Sequence, residues 1–166
     1  VLAAGETFGI MPYGTEAMGV MRIEKGHVAG AELDGTTTAQ DLGLGRLASS
    51  KKDFIGRRAL ARPALTEGSR LQLVGLVPID SSQRLRSGAQ LVADPKAQPP
   101  VSLLGHVTST AFSPSLGHSI ALALLSGGLQ RKGETLHAAF PLRNETVAVR
   151  VADPVFLDPK GERLHA

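Results

Sequence analysis

The chain has 166 residues, no cysteine, and 18 basic against 15 acidic side chains, for a formal charge of +3. That length supports one domain or two small ones with a core that needs no disulfide, and the missing thiols exclude Cys nucleophiles and thiolate metal sites. The mildly basic balance, with arginine in excess over lysine, suits anionic ligands, while aromatics at 4% leave no stacking platform for RNA.

The opening, VLAAGETFG, lacks the basic flank and apolar length of a signal peptide and has no initiator methionine. It reads as the start of a piece of a longer cytoplasmic protein. Residues 14 to 25, GTEAMGVMRIEK, place Met18, Met21 and Ile23 near one side, with Arg22 and Lys25 elsewhere. This spacing predicts an amphipathic helix that stops at Gly26. GAELDGTTTAQDLGLG is a loop. KKDFIGRRALARPAL predicts a short helix with Asp53 as N-cap, Phe54, Ile55 and Leu60 as its buried side, and Pro63 as its end.

Beyond TEGSR, near residue 67, the character changes. RLQLVGLVPI (70 to 79), AQLVADP, VSLLGHVTSTAF (101 to 112), SIALALLS, ETLHAAFP and ETVAVRVADPVF read as strands. The last alternates strictly from Val147 to Val151. Short strands at fairly even spacing, cut by Gly and Pro, predict a small barrel or sandwich. SIALALL, the longest apolar run, is far too short for a membrane-spanning helix.

Most candidate motifs fail on spacing. GLGRLASSKK lacks the GxxxxGK[ST] pattern of a phosphate loop. The histidines, His27, His106, His118, His137 and His165, have no partner at metal-ligand spacing, so no metal site is expected. Ser113 in SPSLG is not a nucleophile elbow. SSKKDFIGRR reads as a solvated basic face. Glu24 stands out, because a carboxylate near a helix C-terminus opposes the macrodipole. It is either a solvated partner of Arg22 or Lys25, or an acceptor for a ligand's N–H groups.

Three stretches, in order, resemble one family. EAMGVMRIEKG, KKDFIGRRAL and LLGHVTSTAFSPSLGHSIALALL are similar to successive motifs of the aminomethyltransferase (glycine-cleavage T-protein) family. PYGTEAMGVMR, DGTTTAQDLGLG and PVFLDPKGERLHA look most like the C-terminal part of that family's heterotetrameric sarcosine oxidase α-subunit branch. Thr110 departs from the family's usual Gly, and Ala39 from a frequent Pro.

The resemblance implies an α+β chain, mainly β in its C-terminal half. Residues 1–67 would be the C-terminal remnant of a folate-binding domain, and 68–166 the C-terminal β-barrel. It implies tetrahydrofolate as ligand, with Glu24 bonding the pterin ring and Arg86 near the folate pocket, although Arg84 is two residues away. It places the family's catalytic Asp upstream of this chain, so no catalytic residue is expected here and the chain alone is expected to be inactive. FAD, FMN and NAD would belong to the rest of the complex, and the partners would be the β, γ and δ subunits, with no nucleic acid and no membrane. FSPSLGHSIALALL is expected to be scaffold, with His118 incidental.

The family alternatives are a free-standing T-protein and the tail of a dimethylglycine or sarcosine dehydrogenase. The folate-binding iron–sulfur maintenance proteins carry a K-G-C-x-x-G-Q-E loop, which a chain without cysteine does not have. A basic RNA-binding barrel would show salt-dependent RNA affinity, and none of useful strength is expected.

Overall fold

The computed structural model describes residues 1–49, 51–98 and 100–164. Among the described residues four α-helices precede the sheet: α1 (Leu2–Gly5), α2 (Thr15–Glu24), α3 (Arg57–Leu60) and α4 (Pro63–Thr66). Six strands follow: β1 (Leu71–Pro78), β2 (Gln90–Val92), β3 (Gly105–Ser113), β4 (His118–Ser126), β5 (Thr135–Phe140) and β6 (Glu145–Ala152). They close into an antiparallel barrel in the order β1-β4-β3-β2-β5-β6, with β6 returning to β1. Closure removes the sheet edges that would otherwise offer unpaired backbone groups. All six predicted strands are present, although β3 starts four residues later than its apolar run.

The barrel interior is filled by Val74, Leu76, Leu91, Val107, Leu125, Leu136, Val149 and Val151 with small residues between them. A second apolar cluster lies outside the barrel wall and joins Ile23 of α2 and Leu42 to Leu73, Ile120, Leu122 and Leu124. Strand β4 therefore feeds both clusters. Ala121, Ala123 and Leu125 point into the barrel, while Ile120, Leu122 and Leu124 point toward α2. This explains its unbroken apolar run, because a strand covered on both faces has no polar side.

The register of β3 against β4 shifts between Val107 and Ser109, which face Ala123 and Leu122 respectively. Thr108 is the extra residue of this bulge. Val107 points inward with Ala123, whereas Ser109, Ala111 and Ser113 share the outer face with Leu122 and Ile120. Without the bulge, strict alternation would turn Ser109 and Ser113 into the barrel.

The region of the second predicted helix is built differently. Gly56 (φ +93°) takes a left-handed conformation that ends any continuous helix, so only the single turn α3 follows it. Asp53 does not cap this turn; its Oδ1 accepts the neighbouring Phe54 N–H at 3.1 Å. Ile55 is fully exposed rather than buried. Pro63 opens α4 rather than closing a helix, because Pro suits the first helical position and holds Arg62 extended.

After β6 the chain crosses the outside of the barrel at Gly75. A Cβ there would stand 2.2 Å from the Asp153 carbonyl oxygen and 2.7 Å from the Phe156 ring. Gly75→Ala is expected to destabilise the chain by about 1–3 kcal/mol through overpacking. Thermal unfolding of the variant checks this, and an unchanged transition would contradict it.

Candidate functional site

Helix α2 docks on the outer face of β3, and two polar links fix it there. The first is a buried network. Glu32 is 0% exposed. It accepts the Ala29 N–H at 2.8 Å, Arg22 Nη1 at 3.2 Å and the Ser109 hydroxyl at 2.6 Å. Arg22 Nη2 in turn donates to Ser109 Oγ at 2.7 Å. Burial pushes the Glu32 carboxyl up, but the bonds from Ser109 and Ala29 and the Arg22 charge outweigh it and hold it below the usual range. Asp41 behaves alike. Burial raises it, while the Arg70 fork and Thr38 lower it further.

Both groups therefore titrate lower in the folded chain than in the unfolded one. Their stabilisation is fully present above the ordinary values, 4.5 for Glu32 and 3.8 for Asp41, and is lost as pH falls through the lower folded values. The melting temperature is expected to hold between about pH 8 and 5 and to drop below about pH 4. A transition that is unchanged down to pH 3 or so would contradict this linkage.

The second link is Glu24 itself. It is the last residue of α2 and only 5% exposed. The Ser113 hydroxyl donates to Glu24 Oε1 at 2.5 Å. The backbone carbonyl of Glu24 accepts N–H groups from Phe156 at 2.9 Å and Leu157 at 3.0 Å. Those amides, from the segment after β6, cap a helix end whose free carbonyls would otherwise oppose the carboxylate. Gly26 (φ +67°) ends the helix and leaves room for this segment, since a Cβ there would stand 2.6 Å from the Pro154 oxygen.

A cavity of about 500 Å³ opens beside Glu24. Met18, Met21 and Leu157 supply apolar walls, Lys25 and Arg163 add positive charge, and His27 and Asp158 complete the rim. Lys25 is tied to Asp158 through the carboxylate and the backbone carbonyl. Glu24 Oε2 has no protein partner, and among the described residues no buried side-chain oxygen or nitrogen lacks one, so Oε2 reaches the open cavity. Met18 and Met21, expected on the packed side of the helix, are about half exposed and belong to this wall.

Arg86 lies elsewhere. Its guanidinium forms a fork with Glu145, with Nη2 at 3.0 Å from Oε1, and sits 5.9 Å above the Phe140 ring. Each partner moves the other's titration, Glu145 downward and Arg86 upward. Arg84 borders a separate cleft with Glu16, Thr110 and Phe112. The structure thus brings neither arginine to the Glu24 cavity. Ser113, which touches Glu24, was not among the residues expected in the site.

His118 Nδ1 lies 2.9 Å from the Ser119 carbonyl and His137 Nδ1 3.2 Å from that of Ala93. His165 lies outside the described residues. Among the described residues no His, Asp and Glu group is arranged to hold a metal ion, and no helix is long and apolar enough to cross a membrane. Lys51, Lys52 and Arg58 are exposed.

The glycine cleavage T-protein C-terminal barrel domain matches residues 72–158, more than half of the chain, and the GCVT N-terminal domain matches residues 1–52. The chain belongs to the glycine cleavage T-protein family. It is 46% identical to the sarcosine oxidase subunit alpha of Rhizobium meliloti (strain 1021), over 99% of this chain and 17% of that protein. Identity to the same subunit of Corynebacterium sp. (strain P-1) is 43%, over 98% and 17%. An aminomethyltransferase of Nitrosomonas eutropha is 32% identical over 90% of this chain and 39% of its own length. The crystal structure of the glycine cleavage system aminomethyltransferase T from Bartonella henselae superposes with a TM-score of 0.70 at 25% identity, covering 86% of this chain and 38% of that one. The chain spans less than a fifth of the sarcosine oxidase subunits it matches.

Proposed function

We propose that the chain is the tetrahydrofolate-binding C-terminal part of a sarcosine oxidase α subunit. That enzyme would oxidatively demethylate sarcosine to glycine and pass the one-carbon unit to tetrahydrofolate. The observation that carries the reading is the Glu24 carboxylate, nearly buried, with Oε1 held and Oε2 open to the cavity. A carboxylate in that state offers Oε2 as a charged acceptor for the N–H donors of a pterin ring. Met18, Met21 and Leu157 would flank the ring, and the positive groups of Lys25 and Arg163 would suit the ligand's acidic tail.

In this reading residues 1–67 end the folate-binding domain and 68–166 form the barrel domain that braces it. The chain's own task is positioning: holding tetrahydrofolate so that its nitrogens meet a carbon at the formaldehyde level, which converts an encounter into a near-unimolecular step. Flavin and nicotinamide chemistry belongs to other regions and to the β, γ and δ subunits of a cytoplasmic complex. Arg86, bound to Glu145 away from this cavity, would brace the barrel rather than contact the ligand. The similarity to aminomethyltransferases supports a second reading, a T-protein, which would act without flavin.

Two measurements test the proposal. The complete protein should bind tetrahydrofolate in an anaerobic titration and yield methylenetetrahydrofolate with sarcosine as donor. The chain alone should form none. Product formation with an aminomethyl donor but not with sarcosine would favour the T-protein reading, and absence of tetrahydrofolate binding would end both.

A further inference from the structure

We infer that Ser113, the last residue of a barrel strand, is a positioning residue that orients the Glu24 carboxylate toward the ligand's N–H donors; the inference rests on the folate reading above. Ser113 is fully buried, so water does not compete for its hydroxyl. The Leu116 N–H donates to Ser113 Oγ at 3.1 Å. A serine hydroxyl has one proton. With Leu116 supplying a donor, that proton is directed at the acceptor, Glu24 Oε1, 2.5 Å away.

The direction is fixed by backbone as well as by side chains. The Gly117 N–H returns to the Ser113 carbonyl at 2.8 Å, closing the turn that follows β3. Pro114 restricts the first step of that turn. The bulge at Thr108 selects the face, since Ser113 shares the outward side with Ser109 and Ala111. Strand β3 therefore holds α2 twice, through Ser109 on Arg22 and Ser113 on Glu24. The first contact anchors the helix. The second fixes the rotation of a carboxylate whose free oxygen faces the cavity.

This is a role for the barrel in ligand recognition without contact between Ser113 and ligand. Removing the hydroxyl leaves Oε1 buried with no donor, so the carboxylate turns away from its ligand-facing pose or draws in water.

The test is a double-mutant cycle in the complete protein, read by tetrahydrofolate titration. Ser113→Ala is expected to weaken binding about ten-fold in the parent and less than about two-fold in a Glu24→Gln background, because its effect passes through the carboxylate. Equal losses in both backgrounds, or no loss in the parent, would overturn the inference while leaving the folate reading standing. If Glu24→Gln alone binds like the parent, the assignment of Glu24 falls and the Ser113 role with it. Should Ser113→Ala not fold, Ser113→Cys, a near-isosteric and weaker donor, is carried through the same cycle and judged by the same comparison.

Discussion

Glu24→Gln is expected to weaken tetrahydrofolate binding by roughly thirty- to several-hundred-fold, equivalent to about 2–4 kcal/mol. The substitution keeps the side chain's shape and removes its charge. One carboxylate oxygen becomes an NH₂ donor. If that donor faces the cavity it meets the pterin's own donors, and if it faces inward it meets the proton of the Ser113 hydroxyl. The first orientation gains a repulsive contact, the second forces the Ser113 hydroxyl to turn its proton away, and both lose a charge-assisted bond. If the flavin chemistry belongs to other regions, as proposed, sarcosine oxidation assayed without folate should barely change. The pair of assays separates loss of the pocket from loss of the fold. Parent-like affinity would leave Glu24 as a structural carboxylate that ties the helix end to Ser113 and nothing more.

Glu32→Ala is expected to cost about 3–5 kcal/mol of folding stability, the usual range for breaking a buried charge pair by removing one partner. Against a typical total of about 5–15 kcal/mol, that is a large share. The loss has three sources. Arg22 would keep its charge in a half-buried place, the Ala29 N–H would lose its acceptor, and the Ser109 proton would point at a void. Glu32→Gln retains one acceptor and should lose less. Urea unfolding of the two variants beside the parent measures the order. If Glu32→Ala unfolds at the parent's midpoint, the network contributes no net stability.

Strands were legible where only one face is buried. Val147, Val149 and Val151 of β6 face the barrel core and their neighbours face outward, so period-two alternation appears in the sequence. Strand β4 was recognisable by length and apolar content only, because α2 and the barrel interior bury both of its faces. The helix predicted around Asp53 fails on one backbone angle, the left-handed Gly56, which local composition does not reveal. Met18 and Met21 have helical spacing in the sequence but line a cavity instead of a core. Ser113 was invisible for a different reason. Its face is set by a register shift five residues earlier, and its partner Glu24 lies on an element that sequence spacing does not bring near. The tension at Glu24, a carboxylate at the negative end of a helix, was legible, and the structure supplies its relief in the Phe156 and Leu157 amides.

The Glu24–Ser113 pair spans 89 positions of chain. At a synthesis rate of about 5–20 residues per second, roughly five to twenty seconds separate the appearance of the two residues. The barrel closes later still, since β1 must wait for β6 to complete its hydrogen bonding. Contacts of such long range pay their loop-closure entropy before they return any stabilisation, which makes this a slow-folding topology. During that interval Ile23 and Leu42 lack the β4 side chains Ile120, Leu122 and Leu124 that complete their cluster. The cavity beside Glu24 is under the same constraint: its walls join α2 to Leu157, Asp158 and Arg163, which lie beyond the last strand, so it is complete only after the barrel's final strand has been made.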